Sequence, residues 1–113
     1  MTINQLINDE LISQKIQDAS ISPVSITMWI NDFELQNSYL LRTPVYTKLY
    51  YPEHKDKQLL LSEEYTNMYI LYLSAMIDFF SGDMEEYNKS AMDFKMAYDD
   101  FRYNVRGFYN AKN

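Results

Sequence analysis

The sequence of 113 residues contains no cysteine, two glycines, three prolines and a single histidine. Without cysteine there is no disulfide framework, no thiolate-held zinc and no thiol nucleophile, and the composition fits a reducing compartment. One histidine removes histidine-rich metal centres. So few Gly and Pro leave few tight turns, which favours helices over a many-stranded sandwich. Basic charge is also in short supply: ten Lys and Arg stand against sixteen Asp and Glu, a net charge of −6. Proteins that grip phosphate backbones carry basic surfaces, because release of condensed counterions drives that association, so nucleic-acid binding is disfavoured as the main task. Long apolar runs are missing too. The longest, Met68 to Phe80, is broken by Ser74 and Asp78 and is too short to span a bilayer. The opening MTINQLINDELISQKI lacks a basic region followed by an unbroken apolar stretch and does not read as a signal peptide. The expectation is a soluble intracellular protein. A chain of this length forms one domain, burying about two-thirds of its unfolded surface, and is too small for a two-domain enzyme with a cleft between domains.

What is abundant is aromatic: 16% of residues, eleven of them Tyr. Helical periodicity places them. Thr2 is a candidate N-cap for a helix to about Gln17, with Ile3, Leu6, Ile7 and Leu11 on one stripe. Ser22 followed by Pro23 starts a second helix that runs to about Leu41 through Ile26, Trp29, Ile30, Phe33 and Leu40. Ser62, Glu63 and Glu64 open a third, apolar on most of its surface and therefore central. Ser81, Gly82 and Asp83 stop it and start the next, Gly82 supplying a left-handed cap and Asp83 an N-cap, so the third and fourth helices form an antiparallel hairpin. In the fourth, Met84, Tyr87, Ala91, Phe94, Tyr98, Phe101, Val105 and Phe108 recur at alternating spacings of three and four, a heptad seam. From Met84 to Tyr109 that helix is roughly 39 Å long at about 1.5 Å per residue, about two turns beyond its partner. Residues 102–113 are expected to overhang, with Gly107 weakening the last turn.

Between Arg42 and Leu61 the helical period stops. Pro44 and Pro52 bracket VYTKLYY, whose alternation is that of an extended segment, and PEHKDK reads as a polar turn. The expected fold is all-α: a small bundle of four helices, a long C-terminal helix, and an extended arm or irregular β-hairpin over 42–61 between helices two and three. A long non-helical insert in a small helical domain is usually functional or disordered.

Chemistry finds little to hold on to. No phosphate loop, GxSxG, HExxH or EF-hand pattern is present. Asn88-Lys89-Ser90 matches a glycosylation tripeptide, a coincidence in a protein without a secretion signal. His54 lies in a polar turn and reads as a surface residue. Asp78, between Ile77 and Phe79, either points outward or accepts from a tyrosine. No catalytic residue, metal ligand or cofactor site is expected. The tyrosines point elsewhere, since Tyr and Arg are favoured anchors of protein interfaces. Tyr65, Tyr69, Tyr72, Tyr87 and Tyr98 have core spacing; Tyr46, Tyr50, Tyr51, Tyr103 and Tyr109 lie in the arm and the overhang. Charge is uneven as well. Residues 58–100 hold nine acids against Lys89 and Lys95, whereas Arg42, Lys48, Lys55 and Lys57 mark the arm, and Arg102, Arg106 and Lys112 the C-terminus. Solvated faces account for this, as does complementarity between neighbouring copies closing a ring.

The run LSEEYTNMYILYLSAMIDFFSGDMEEYNKSAMDFKMAYDDFRYNV, Leu61 to Val105, together with the segment SPVSITMWINDFE, Ser22 to Glu34, resembles the head-tail connector proteins of tailed phages, also called adaptor or head-completion proteins. The resemblance covers about two-thirds of the chain, and the residues that carry it are packing residues. It implies a structural virion protein, made in the host bacterial cytoplasm and placed at the head-tail interface. Such a subunit assembles as a ring, typically dodecameric, beneath the portal protein, extends the DNA channel and docks a stopper or tail terminator. Carried onto this chain, it makes Arg102, Tyr103, Arg106, Phe108, Tyr109 and Lys112 candidate portal contacts. Arg42, Tyr46, Lys48, Tyr50 and Tyr51 become candidate contacts to neighbouring copies or to the stopper. DNA would pass through such a ring without specific binding, and acidic walls would not trap it. From the residues alone, a small acidic helical regulator that binds a host protein is the alternative.

Overall fold

The computed structural model describes residues 1–43 and 45–112, with side chains described as far as Val105. It is helical in the order α1 (Ile3–Ile7), α2 (Glu10–Ala19), α3 (Pro23–Leu40), α4 (Thr66–Ser81) and α5 (Met84–Lys112), with one 3-10 turn, Glu63–Tyr65, leading into α4. The all-α expectation holds. The first expected helix, however, is two. Thr2 caps α1 through a capping box with Gln5, but Asp9 then accepts from the backbone N–H groups of Leu11 and Ile12 and starts α2 afresh. An acidic side chain satisfying two orphan donors competes with continuation of the helix. Among the described residues the bundle therefore has five helices.

Helix ends follow one rule. In each of α2, α3 and α4 the chain turns off through a left-handed residue, Ser20 (φ 54°), Arg42 (φ 57°) and Gly82 (φ 80°). In each the next amide reaches back five residues: Ile21 to Ile16, Thr43 to Ser38 and Asp83 to Asp78. This motif satisfies carbonyls that a helix end leaves open. Asp83 Oδ1 then accepts from the Glu86 amide at 3.2 Å, which starts α5 as expected.

Helix α4 is central. Met68, Tyr69, Leu73, Ser74, Ala75, Ile77 and Asp78 are buried along it. Helices α2, α3 and α5 pack around it. Phe33 of α3 is the hub: its ring lies 5.2 Å from Tyr69, 4.5 Å from Tyr72, 5.8 Å from Phe94 and 5.9 Å from Tyr98. Offset and edge-to-face rings at these separations add to their area burial. Along the α5 seam Phe101 and Val105 are buried and Tyr87, Ala91, Phe94 and Tyr98 half-buried; Met84 is exposed, and the Phe108 side chain lies outside the described residues.

Two expectations need correction. Phe101 and Val105 are buried core residues, 2% and 8% exposed. Phe101 packs edge-on against Tyr65 at 4.9 Å, because the 3-10 turn extends the end of α4. The packed part of α5 thus reaches Val105, and residues 102–105 are not an overhang. Residues 42–43 and 45–61 are likewise neither a projecting arm nor a hairpin. Among the described residues there is no strand, only one isolated bridge, Thr2 to Gln58. Leu49, Leu59 and Leu61 are buried. The segment is a strap held on one side by the N-terminal segment, with Leu59 N–H donating to the Met1 carbonyl and Asn4 N–H to the Lys55 carbonyl. On the other side it is held by α3.

Candidate interaction surfaces

The strap's attachment to α3 consists of two polar side chains one turn apart. Asn31 pairs with the Leu49 backbone twice: Nδ2 donates to its carbonyl at 2.8 Å and Oδ1 accepts its amide at 2.9 Å. Glu34, 1% exposed, accepts at Oε2 from the Leu60 amide and the Tyr69 hydroxyl, both at 2.6 Å, and at Oε1 from the Tyr46 hydroxyl at 3.1 Å. Tyr46 is also within 2.7 Å of Asn31 Oδ1. Burial pushes the Glu34 carboxyl above the usual carboxylate range, and the hydrogen bonds from Tyr69, Leu60 and Tyr46 hold it back. Burial and the neighbouring carboxylate push the Tyr46 and Tyr69 phenols well up. The arrangement is structural chemistry: every donor is matched.

A second buried polar cluster joins α2, α4 and α5. Asp78 accepts from Lys15 Nζ at 2.6 Å and from Ser90 Oγ at 2.7 Å, and Ser74 and Ser90 hydroxyls are 3.3 Å apart. Asp78 therefore neither points outward nor meets a tyrosine; it is an ion-paired core residue. A pocket of about 260 Å³ opens beside it, lined by Lys15, Asp18, Asp83 and Glu86 among others. Among the described residues no group of three or more His, Asp or Glu is placed to hold a metal ion. His54 Nδ1 accepts the Tyr50 amide at 2.9 Å and closes the polar turn.

The candidate interface residues divide. Tyr46 is half-buried and committed to Glu34 and Asn31. Tyr51 packs partly against the core. Lys48, Tyr50 and Tyr51 line a pocket of about 240 Å³ with Val24, Thr27, Met28, Asn31 and Leu49. The Lys48 ammonium lies 5.7 Å from the Tyr50 ring centroid. Arg42 occupies the left-handed turn after α3. Arg102 lies over the Tyr98 ring at 5.8 Å, and Tyr103 is exposed. The side chains of Arg106, Phe108, Tyr109 and Lys112 lie outside the described residues. Sequence reasoning overlooked Glu34 and Asn31. Their signal was that polar residues stood at core positions of a helix whose other inward positions are Ile26, Ile30 and Phe33.

Apolar surface is left outside on α3 and α5, and at Phe79 and Phe80 at the end of α4. On α5, Met92, Met96 and Tyr103 are 66%, 65% and 78% exposed. At about 100° per residue they share one narrow stripe, opposite the inward seam of Tyr87, Ala91, Phe94, Tyr98, Phe101 and Val105. On α3, Val24, Met28, Leu35 and Tyr39 are between 42% and 74% exposed. Among the described residues no helix is long and apolar enough to cross a membrane. No family model, curated protein or solved structure matches this chain.

Proposed function

We propose that this chain is a structural assembly subunit that performs no chemistry, of the head-tail connector type. In this reading copies form a ring beneath a portal protein, DNA passes through the ring without specific binding, and a stopper or tail terminator docks on it in the virion. The observation that carries the reading is the outer face of α5. Met and Tyr are among the residue types enriched at interfaces, and this helix keeps Met92, Met96 and Tyr103 exposed on one face, with Arg102 half-buried to the side over Tyr98, while its opposite face packs on α4. With the exposed Lys95–Asp99 pair beside them, these residues make a mixed apolar and charged surface of the composition that interfaces use. The sequence likeness to connectors supports the same reading. The residues that carry it, such as Tyr69, Leu73, Ile77, Phe94 and Tyr98, build the α4–α5 hairpin that presents this face.

Light scattering of the pure chain, alone and mixed with the assembled portal protein that the reading places next to it, tests the reading. A complex with portal is expected. A Met92→Lys, Met96→Glu double variant is expected to keep its circular dichroism spectrum and melting temperature while losing the complex. Absence of any binding to assembled portal would overturn the assignment.

A further inference from the structure

Helix α3 carries an exposed apolar face, bordered beside Val24 and Met28 by Lys48, Tyr50 and Tyr51 of the strap. Its inward side is filled by Ile26, Ile30, Phe33, Glu34 and Asn37. Val24, Met28, Leu35 and Tyr39, spaced over fifteen residues and roughly 22 Å, lie on the outward side. A helix apolar on both sides is normally covered on both. Of the residues of α3 itself, one charge stands within this face, midway along it and past the end that Lys48 borders. Asp32 is exposed, and α3 contains no Lys or Arg. Among the described residues Asp32 makes no ion pair. From Met28 onward the spacing of Met28, Asp32, Leu35 and Tyr39 is four, three and four, a coiled-coil seam with the aspartate at one seam position.

We propose that this face docks an amphipathic helix of a different protein, one that carries a Lys or Arg opposite Asp32 between apolar seam residues. The position of Asp32 selects the occupant. The face runs from 24 to 39, so its midpoint falls beside Asp32. A two-fold pairing of two copies across the whole face brings both Asp32 carboxylates to the symmetry axis, and a parallel in-register pairing opposes them directly. Either way like charges are desolvated together, which disfavours a second copy. A partner cation at that level converts the same group into a register-setting ion pair, the known use of a single polar seam residue. The proposal rests on reading the chain as an assembly subunit but not on the α5 face.

The test uses the full chain and a labelled 21-residue amphipathic helical peptide with a leucine seam and one central lysine, compared by fluorescence anisotropy with the same peptide carrying glutamate there. The lysine peptide is expected to bind at least about fivefold more tightly. Asp32→Lys is expected to abolish or reverse that preference. Asp93→Lys, an equal charge change at an exposed position of α5, is expected to leave it intact, and Leu35→Asp to remove binding of both peptides. Circular dichroism confirms that each variant folds. Equal affinity for the two peptides, no binding of either, or a chain dimer in light scattering that Leu35→Asp dissociates would each overturn the proposal. Portal binding lost in the α5 variants, with peptide discrimination retained, separates the two readings.

Discussion

Replacing Glu34 distinguishes the role of its charge from the role of its oxygens. In Glu34→Ala the Tyr69 hydroxyl and the Leu60 amide, both 2.6 Å from Oε2, lose their acceptor, and Tyr69 is fully buried. Tyr46 keeps Asn31 Oδ1 at 2.7 Å. Two orphaned donors at about 1–3 kcal/mol each, with a small cavity, predict a loss of about 3–5 kcal/mol. For a chain of this size that is about 10–20 °C in melting temperature. Glu34→Gln behaves differently. Its Oε1 can stand where Oε2 accepts both Leu60 and Tyr69. Its amide nitrogen, in the place of Oε1, donates to the Tyr46 oxygen while Tyr46 donates to Asn31. The second amide hydrogen gains no acceptor here, a cost offset by removal of a buried charge, so the variant is expected within about 1–2 kcal/mol of the parent at neutral pH. The pH dependence has a definite sign. Burial raises the native pKa of Glu34 above its unfolded value. The native state therefore holds the proton more tightly, and the stability this confers is present below the unfolded pKa of about 4.3 and is lost as pH rises through the native value. Glu34→Gln should gain on the parent over that interval and then keep its gain. Urea titrations followed by circular dichroism and Trp29 fluorescence from pH 4 to 8 measure both effects. A glutamine variant as unstable as the alanine variant, or a parent-to-glutamine difference that is flat with pH, refutes the reasoning.

The Asp78 cluster gives a second expectation. Lys15→Met leaves a buried carboxylate with Ser90 alone and is expected to cost about 2–4 kcal/mol in urea titrations, most of which Lys15→Met with Asp78→Leu restores. Val105→Ala is expected to cost about 1–2 kcal/mol, because Val105 belongs to the core; no loss in thermal unfolding would mean that α5 stops packing earlier. The double change at Met92 and Met96 is expected to leave the melting temperature within about 1–2 °C, since exposed positions contribute little to stability. A large fall would show that these residues serve the fold rather than a contact.

The correspondence between text and structure differs from segment to segment for physical reasons. Local signals were readable where they suffice to decide the backbone. Ser22-Pro23, Gly82-Asp83 and the α5 seam specify helix ends and faces within a few residues of chain, and the structure follows them. The break at Asp9 was equally local but competed with an apolar stripe that continues across it, so periodicity alone pointed to one helix. The strap was not readable, because alternating residues such as Val45, Thr47 and Leu49 describe an extended backbone without saying what it lies against. Buried partners for Leu49, Leu59 and Leu61 come from residues far along the chain. Asn31 and Glu34 supply acceptors and donors that a strand partner would otherwise provide. The same holds for Asp78, whose cation comes from α2, 63 residues away.

By itself the sequence determined an all-α chain, the apolar central helix, the antiparallel hairpin and a surplus of aromatic residues, since each follows from composition or from spacing along one helix. Tertiary structure decided which of those aromatics are spent inside. Tyr69 and Phe101 are internal and Tyr46 is half-buried, whereas Met92, Met96 and Tyr103 on α5 and Val24, Met28, Leu35 and Tyr39 on α3 remain outside. The division cannot be made from periodicity, because a helix with two apolar faces shows both in its sequence, and only packing against α4 settles which one is covered.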